Sequence, residues 1–523
     1  MEAIADKIIK LRDRLKSERS NFDVLYDEVE DYVYPRKKGY KDGEPQGQKE
    51  GRKVYDSTPT VASELLAASL NSTLVNPAVK WFSLKSKNQT TADLNELRDI
   101  LFEEITKETS GFANNFYESL VEVVVYGTCA LFVGWDNDGL VFQNIHCRNV
   151  YIDESASGRI DTVVREIEMT IRQLEQMFGR DVLPEDIKHL LEIGAETNGK
   201  KKVVHAIFPN EKHTRYSKDN VFPYKSVYIL EEGKHLLKET GYKEIAIVCA
   251  RWTKQSGETY GRSPVIYMLP DIKMLNFFMK EMIIAAQLAN RPPLLVSDEE
   301  EMKIAPIVPN GIIPYSGAMP VPLQTGANIS SVFSMIEEIR NRIRKGMYND
   351  LLMFSDQPIN MTATEYVRRT EENVKLMSPM VSRLQTELLA PILIRCYGLC
   401  KRNGVLSQDA PEIEGIEFTT ITDQAFKSQK LASMIRLIEA SSPFMQIDPQ
   451  SVNVLNCDNA IREVAQTLGL DTILNDEEQV QMMRETANAQ MQAEQAKMNE
   501  AQMLELQGMS LDNEEKTRNV QKR

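Results

Sequence analysis

The sequence is sparse in the residue types that carry most metal and thiol chemistry. It has five histidines, six cysteines and three tryptophans among 523 residues. The histidines form no H-E-x-x-H pattern, which excludes the common zinc-protease signature. The cysteines are scattered, and no histidine joins the closest pair, Cys396 and Cys400, at a zinc-finger spacing. We therefore interpret all six cysteines as reduced thiols of a cytosolic protein and expect no metal and no cofactor.

A nucleotide-binding loop is also missing. The nearest approach is GAETNGKK at Gly194–Lys201, which has the spacing Gly-x4-Gly-Lys. Lys201 stands where a Ser or Thr hydroxyl should meet Mg²⁺, and a predicted helix precedes the motif where a strand should. No G-x-S-x-G motif and no carboxylate cluster with metal-nuclease spacing occurs, and His146 and Cys147 are interpreted as the end of a strand. The sequence therefore predicts no catalytic residue.

Positive charge is in short supply. The chain has 62 Lys and Arg against 76 Asp and Glu, which gives a net charge of −14. Proteins that wrap nucleic acid present basic surfaces, so this balance argues against tight nucleic-acid binding. It does not argue against a nucleic acid that slides past the protein.

No segment has the pattern of a signal peptide or of a membrane span. The N-terminal stretch MEAIADKIIKLRDRLKSERS is charged and amphipathic, without an apolar core or a cleavage site. The most apolar stretch, Tyr260–Val296, contains Asp271, Lys273, Lys280 and Glu281. Each charge near a bilayer centre costs about 2.5–3.5 kcal/mol, so four of them outweigh the apolar gain. Protein must therefore cover this stretch.

The apolar stretch predicts a helix over residues 263–291. Ser263 suits the N-cap, Pro264 the first turn and Pro270 an early bend, and Pro292 with Pro293 ends the helix. A narrow polar stripe runs along it: Lys273, Lys280 and Gln287, with Asn276 nearby. Such a helix is either the centre of a large monomeric core or packed between neighbours in a ring, with only the stripe wetted.

The residues before this helix predict an α+β body. Helices are expected at 2–33 (one or two), from Thr58 onward, and at about 92–108, 111–126, 170–178 and 185–192. The helix from Thr58 is expected to bury Val61, Leu65, Ala68 and Leu74. Alternating residues predict a β-hairpin turning at Asn137–Gly139, and further strands near 160–168, 202–208, 225–231 and 246–252.

The composition of the sequence changes after residue 291. Residues 292–330 carry seven prolines and short β-like runs, and a second helix follows at 331–350. Its apolar face is predicted from five side chains: Val332, Ile336, Ile339, Ile343 and Met347. Residues 351–363 contain turn formers, and a long helix over 364–402 is bent by Pro379 and Pro391 and closed at Asn403-Gly404. A short strand, IEFTTI, comes next.

The last hundred residues are predicted to be helical and become rich in Gln, Met, Ala and Glu from about 477. This segment is either a solvated helical tail or a helix packed against copies of itself. The final 15 or so residues are expected to be disordered.

Two long helices thus flank a proline-rich insert and return to one body. This arrangement predicts a projecting stalk with a small module at its tip. A stalk with so apolar a helix would be insoluble in a monomer, so side-by-side packing in a ring is favoured.

Four segments, in order, resemble the head-to-tail connector, or portal, proteins of short-tailed phages. They are DSTPTVASELLAASLNSTLVNPAVKWFSL, YGTCALFVGW, YGRSPVIYMLPDIKMLN with RPPLLV, and MTATEYVRRTEENVKLMSPMVSRLQTELLAPIL. The similarity spans about Asp23 to Leu470, whereas loop 36–51 and the Gln/Met-rich tail match poorly. The resemblance implies a ring of usually twelve subunits at one capsid vertex, through which double-stranded DNA passes during packaging and ejection.

The resemblance also implies a division of the chain into named parts. These are a wing (1–262), stem helix 1 (263–291), a clip (292–330), stem helix 2 (331–350), a tunnel loop (351–363), a wing return (364–424), a helical crown (425–505) and a disordered tail (506–523). The fold class is therefore α+β, mainly helical, as a portal-type subunit assembled in a ring.

Three sets of candidate site residues follow from this division. The channel loop is Met353, Phe354, Ser355, Asp356, Gln357, Pro358, Ile359, Asn360 and Met361. The clip residues that would contact terminase and tail adaptor are Asp298, Glu299, Glu300, Glu301, Pro306, Pro309, Pro314 and Pro320. The candidate channel-facing basic residues are Lys273, Lys280, Arg340, Arg342, Arg344 and Lys345. For the last four, salt bridges to Glu337 and Glu338 between subunits are the alternative.

The implied partners are further copies of the chain, DNA bound without sequence specificity, the terminase large subunit, the tail adaptor and tail proteins, and the major capsid protein with scaffold or internal core proteins. The implied location is the portal vertex of the virion, reached from the host cytoplasm during assembly, with no membrane partner. Two alternatives remain. A terminase or nuclease subunit would need a nucleotide or metal site, and a coiled-coil tail component would lack the α+β body between Asn137 and Arg251.

Overall fold

The fold is seen in a computed structural model. The described residues are 2–35, 54–76, 80–87, 91–192, 199–212, 221–297, 308, 312–315, 321–322, 329–349, 376–418, 437, 458, 461, 464, 479–487, 489–490 and 492. The contacts divide the chain into two compact units, Met1–Thr422 and Asp423–Arg523. In the second unit the described residues from 479 on are helical, and all of them are exposed except half-buried Val480.

The helices of the first unit follow one another along the chain. They are α1 (Glu2–Tyr32), α2 (Thr58–Leu74), α3 (Thr91–Thr106), α4 (Phe112–Tyr126), α5 (Ile171–Phe178), α6 (Glu185–Glu192), α7 (Pro264–Asn290), α8 (Ile329–Gly346) and α9 (Ala390–Arg402). Helical residues 376–384 lead through a π-helical turn, Gln385–Leu389, into α9. No helix among the described residues is long and apolar enough to cross a bilayer.

The strands lie mostly between α4 and α7. They are β1 (Phe82–Lys85), β2 (Thr128–Asp136), β3 (Gly139–Ile145), β4 (Val150–Glu154), β5 (Ile160–Met169), β6 (Lys201–Pro209), β7 (Tyr224–Leu230), β8 (His235–Tyr242), β9 (Ile247–Arg251), β10 (Leu294–Ser297), β11 (Ile312–Tyr315), β12 (Val321–Pro322) and β13 (Gly415–Phe418). Helix and sheet are both well represented, which confirms the α+β class.

Two antiparallel sheets form the centre of the first unit. One has the order β3-β2-β9, and the other is a five-stranded meander, β4-β5-β6-β7-β8. The predicted hairpin is confirmed: β2 pairs with β3 from Ala130 opposite Ile145 to Asp136 opposite Gly139. The sequence prediction missed β1, β4 and β8. Strand β8 is an edge strand with only Leu237 buried, so its residues lack the alternation that marks a half-buried strand.

Two small sheets join segments that are distant in sequence. Strand β1 pairs with β13, with Phe82 opposite Phe418, so the chain after α9 returns to the segment before α3. Strand β10 lies between β11, which is parallel to it, and β12, which is antiparallel. This three-stranded sheet is formed by the proline-rich insert between α7 and α8.

The largest core brings α2, α4, α7, α8 and α9 together. Its members include Leu66, Leu120, Leu269 and Ile339, each at most 4% exposed. The predicted buried face of α2 is largely wrong, because Val61 is 50% exposed whereas Ala62, Leu66 and Leu70 are buried. Helix α2 is rich in alanine, serine and leucine, so several of its faces carry apolar side chains and the sequence alone does not select one.

Helix boundaries agree closely with the sequence pattern. Residues 2–32 form one continuous helix, α1, rather than two. The π-helical turn lies just before Pro391. Proline has no N–H to donate to the carbonyl of Glu387, and its ring would clash with that carbonyl in a regular α-helix. The wider turn relieves this clash. Helix α9 ends at Arg402 with Asn403 as its C-cap, and Gly404 has a φ of +78°, which agrees with the predicted closure at Asn403-Gly404.

Candidate functional site

Helix α7 begins in the core of the first unit. The Ser263 hydroxyl accepts the N–H of Ile266 at 3.0 Å and donates to the carbonyl of Val125 at 2.8 Å, so the predicted cap also ties α7 to α4. Four apolar side chains of its first half are almost fully buried: Val265, Leu269, Ile272 and Leu275. This half is a core helix of one chain.

The second half of α7 is apolar but exposed. Phe277 is 59% exposed, Ile283 39% and Ile284 38%. The first half of α7 therefore fits the hypothesis of a core helix, while the second half presents apolar side chains outward and the ring hypothesis stays a prediction. Apolar side chains that cluster in this way on one surface mark a site where another molecule packs.

Helix α8 packs against α7 and has two distinct faces. Ile336, Ile339 and Ile343 are each at most 1% exposed, and Met347 is fully buried, which confirms the predicted apolar face apart from half-buried Val332. Away from that face Phe333 is 51% exposed and Met335 47%, and their two-residue spacing places them on different sides of the helix. Both helices thus expose apolar side chains, and we call those of the second half of α7 and of α8 the stem surface: Phe277, Ile283, Ile284, Phe333 and Met335.

Arg340 is held by partners in its own chain. Its Nε and Nη2 donate to Asp56 Oδ2 at 2.9 and 2.7 Å, and its Nη1 pairs with Glu337. Burial opposes ionisation of Asp56, but hydrogen bonds from Thr58 and the hydrogen bonds and charge of Arg340 outweigh it and lower the pKa of this carboxyl. Arg340 therefore anchors α8 to the segment before α2.

The other basic side chains of α8 are more exposed. Arg342 Nη1 lies 3.2 Å from Asp271 Oδ1 on α7, and its Nη2 lies 3.4 Å from Glu338. Arg344 donates to Asn341 at 3.2 Å, and both Arg344 and Lys345 are exposed. The pairs with Glu337 and Glu338 that were considered between subunits thus form within one chain.

The polar stripe of α7 is partly buried in the first half of the helix and exposed in the second half. Lys273 Nζ lies 2.8 Å from Glu28 Oε1 and over the ring of Tyr32, so it joins α7 to α1. Asn276 was expected in a wetted stripe but is 2% exposed, and its Oδ1 accepts the backbone N–H of Tyr55 at 2.7 Å. Lys280 is exposed.

The remaining candidate residues fall mostly outside the described residues. The whole channel loop, Met353–Met361, lies there, as do seven clip residues: Asp298, Glu299, Glu300, Glu301, Pro306, Pro309 and Pro320. Pro314 is described and stands opposite Val296 in the small sheet. The interpretation of these sets remains a prediction.

A buried ion cluster escaped the sequence prediction. Arg251, at the end of β9, is 2% exposed; its Nη2 donates to Glu387 Oε1 at 2.9 Å and its Nη1 pairs with Glu154. Glu387 belongs to the π-helical turn, so the cluster fixes the helix that follows the predicted tunnel loop to the edges of both large sheets. Its members are 97 and 136 residues apart, so no local spacing reveals them.

Two buried titratable groups, His205 and Cys147, have the surroundings of residues with a structural role. His205 is fully buried between Arg165 and Ser226, and burial together with the charge of Arg165 lowers its pKa well below the ordinary value. Burial and the nearby Glu122 raise the pKa of the Cys147 thiol, so it is not poised as a nucleophile. Helix α6 ends at Glu192 and strand β6 begins at Lys201, so the predicted order of helix and then strand is confirmed.

Comparison with known proteins identifies the family. The model of the bacteriophage head to tail connecting protein family matches residues 5–474. The portal protein of Salmonella phage epsilon15 is 26% identical over 522 residues, covering 95% of this chain and 93% of that protein. The probable portal protein of Bordetella phage BPP-1 is 26% identical over 510 residues, covering 92% and 91%.

One solved structure, the virion of a native gene transfer agent particle, matches with a TM-score of 0.38 and 10% identity, over 74% of this chain and 86% of that one. That likeness is too low to establish a shared fold. The match of the family model over most of the chain, however, shows that this chain belongs to the bacteriophage head-to-tail connecting proteins.

Proposed function

We propose that the chain is the portal subunit of a phage and assembles into a ring, of about twelve copies, at one vertex of the capsid. Membership of the connector family and the two relatives named as portal proteins support this role. The observation that carries the ring is the stem surface, because Phe277, at 59% exposed, and Phe333, at 51%, need another surface to cover them.

The parts of a portal subunit are proposed for the described elements as follows. Helices α7 and α8 are the stem, and the small sheet β10–β12 between them belongs to the clip, which would face terminase and later the tail adaptor. The two large sheets with α1–α6 and α9 are the wing, and residues 425–505 are the crown. The short β10–β12 sheet supports the clip assignment because it sits in the loop that joins the two stem helices.

Double-stranded DNA is proposed to pass through the channel of the ring. Each subunit carries a net charge of −14, so the ring repels phosphate overall and DNA slides rather than adheres. The channel loop 353–361 carries one charge, Asp356, which suits a sliding contact. Of the basic candidates, Lys280 is exposed while Arg340 is tied to Asp56, so Lys280 is the better candidate for a basic ring that centres the duplex.

The experiment that tests the ring is native mass spectrometry with negative-stain microscopy of the purified chain. A particle near twelve times 59.5 kDa with a central hole is expected. Phe277→Asp should reduce the ring population by at least about tenfold, because a charge would enter the apolar stem contact. Met177→Asp on α5, where the side chain is 42% exposed, is the matched control and should leave rings intact. A wild-type chain that stays monomeric at high concentration would rule the ring out.

Channel function is tested separately by packaging. Lys280→Glu should reduce packaged DNA while rings still form, whereas Lys7→Glu on α1, with a side chain 73% exposed, should package normally. Deleting the tip of loop 353–361 should likewise spare assembly and impair translocation or retention of DNA. If particles with Lys280→Glu package a genome of normal length, Lys280 does not line the channel. If the deletion leaves the packaged length normal, the loop does not line it either.

A further inference from the structure

The turn between β3 and β4 brings metal-ligand side chains against helix α4. Glu122 comes from α4, while His146 and Cys147 come from the start of the turn. A carboxylate oxygen, a ring nitrogen and the thiol sulfur all lie within 4.8 Å of one another. Within the part of the chain that the structure describes, this is the one such convergence of three His, Cys, Asp or Glu side chains.

The three side chains are held in place by contacts that exist without a metal. The backbone N–H of Cys147 donates to Glu122 Oε2 at 2.8 Å, and Arg19 Nη1 donates to the carbonyl of Cys147 at 3.0 Å. The backbone N–H of Asn144 in turn donates to Asn115 Oδ1 at 2.8 Å, which fixes the end of β3 on α4. The donor set is therefore preorganised by α1, α4 and β3, as a binding site requires.

The contacts and burial of the three side chains set the conditions for binding an ion. His146 Nδ1 accepts the backbone N–H of Arg148 at 3.2 Å, so an ion ligated by this nitrogen would replace that hydrogen bond. Glu122 and Cys147 are 3% and 4% exposed, so an ion bound to them would meet little competing water.

An entry route leads to the cluster. A cleft of about 1300 Å³ opens between the two large sheets, and its walls include Glu122 and His146, with Arg165 and Glu166 across from them. The cleft has room for an ion and for water. Cys147 does not line it, so an ion that arrives through the cleft would meet the carboxylate and the imidazole first.

We propose that Glu122, His146 and Cys147 bind one zinc-class divalent ion, with a water from the cleft as the fourth ligand. Sulfur, imidazole nitrogen and carboxylate oxygen are the donors that Zn²⁺ uses, at about 2.0–2.3 Å in tetrahedral sites. The three donors lie within 4.8 Å of one another and would draw together around a bound ion. On binding, the Cys147 thiol loses its proton to solvent, and the thiolate and carboxylate balance the charge of the ion. The ion would tie α4 to the turn that joins the two large sheets.

The test uses the full chain and Co²⁺, which reports thiolate ligation through a sulfur-to-metal charge-transfer absorption. One Co²⁺ per chain with that absorption is expected, together with one Zn²⁺ per chain by elemental mass spectrometry after desalting. Cys147→Ser should abolish the absorption. His146→Gln, which changes a half-buried ligand, should weaken Co²⁺ affinity by more than about tenfold.

Cys249→Ser is the matched control, because Cys249 is a buried thiol on β9 outside the cluster. It should leave stoichiometry and absorption unchanged. The proposal fails if the wild-type chain binds no Co²⁺, if the absorption survives Cys147→Ser, or if Cys249→Ser removes it. Should Cys147→Ser not fold by circular dichroism, unchanged affinity in folded His146→Gln overturns the proposal and the expected loss supports it.

Discussion

Individual residues decide how helix α7 is attached to the rest of the first unit, and a pair of glycines is the clearest case. A Cβ on Gly261 would lie 2.1 Å from the carbonyl oxygen of Gly127 and 2.9 Å from the Cβ of Arg251. These are backbone and first side-chain atoms, which cannot swing away. The close approach places Ser263 where it caps α7 and bonds to Val125, so a glycine two residues before the cap sets the position of the whole helix.

Gly261→Ala is therefore expected to lower the free energy of unfolding by roughly 3 kcal/mol, the upper end of overpacking costs. Gly199→Ala is the control, since nothing lies within 4 Å of the Cβ it would add. Urea denaturation of both variants measures the difference. Equal stability of the two variants would show that the backbones around Gly127 and Gly261 are not in contact.

The Asp56–Arg340 pair predicts a pH dependence with a definite sign. The folded-state pKa of Asp56 lies below its ordinary value, so the pair stabilises the fold above about pH 4, the unfolded pKa of Asp, and this contribution is lost as pH falls through the folded value. Asp56→Asn should cost about 1.5–3 kcal/mol at pH 7, and the difference from wild type should shrink below about pH 4.

Unfolding free energies of wild type and Asp56→Asn across this pH range provide the measurement. In an Arg340→Leu background the pH-dependent part should become smaller, because the opposite charge is gone while the hydrogen bonds from Thr58 remain. A difference that stays constant from neutral to acid pH would mean that Arg340 does not favour the ionised form of Asp56.

At the scale of elements, α8 carries its two roles on two faces. Ile339 is 1% exposed within the core shared with α7, while Phe333 is 51% exposed on the stem surface. Ile339→Ala should cost about 2–5 kcal/mol of unfolding free energy, through lost burial and the cavity left behind. Phe333→Ala should change that free energy by less than about 0.5 kcal/mol yet weaken ring formation.

Chemical denaturation of the dissociated chain and native mass spectrometry of the assembled chain separate these effects. If Phe333→Ala destabilised the chain as much as Ile339→Ala, the phenyl group of Phe333 would be covered within one subunit. If Phe333→Ala changed neither the stability of the chain nor the assembly of subunits, α8 would contribute no apolar contact between subunits.

The elements also show what a sequence pattern can and cannot predict. The boundaries of α7 were predicted within one residue and those of α8 within about four, because Ser263 caps one helix and isoleucines recur every three to four residues in the other. The buried face of α2 was missed because its small side chains offer more than one apolar face. Strand β8 was missed because a polar edge strand has little periodicity.

Contacts between distant segments were beyond any local pattern. Asp56 and Arg340 are 284 residues apart, and Asn276 meets a segment 220 residues away, so charge or amide type at one position says nothing of its partner. Asn276 was for this reason interpreted as wetted, although it satisfies the backbone before α2. The pair His146–Cys147 was recognised as adjacent, but only the fold brings Glu122 beside it.

At the scale of the whole molecule, the charge balance makes a prediction about DNA that differs in sign from that for an ordinary DNA-binding protein. A basic protein gains affinity as salt is removed, because counterions are released from the phosphates. Each subunit here carries a net charge of −14, so less screening strengthens repulsion between the ring and DNA. The fraction of double-stranded DNA retained by the ring should therefore not rise when ionic strength falls from about 0.15 M to about 0.01 M, where the Debye length grows from roughly 8 to 30 Å.

Fluorescence anisotropy of a labelled duplex titrated with assembled rings would measure this. A steep increase in affinity at low salt would mean that a local basic ring overrides the net charge, and Lys280→Glu would then show whether Lys280 supplies it, by flattening the dependence. Weak binding at both salt concentrations would instead mean that the force that moves DNA comes from the packaging motor and not from adhesion to the ring. The ring itself would offer the duplex a path of low adhesion, centred by geometry and by a few cations rather than held by attraction.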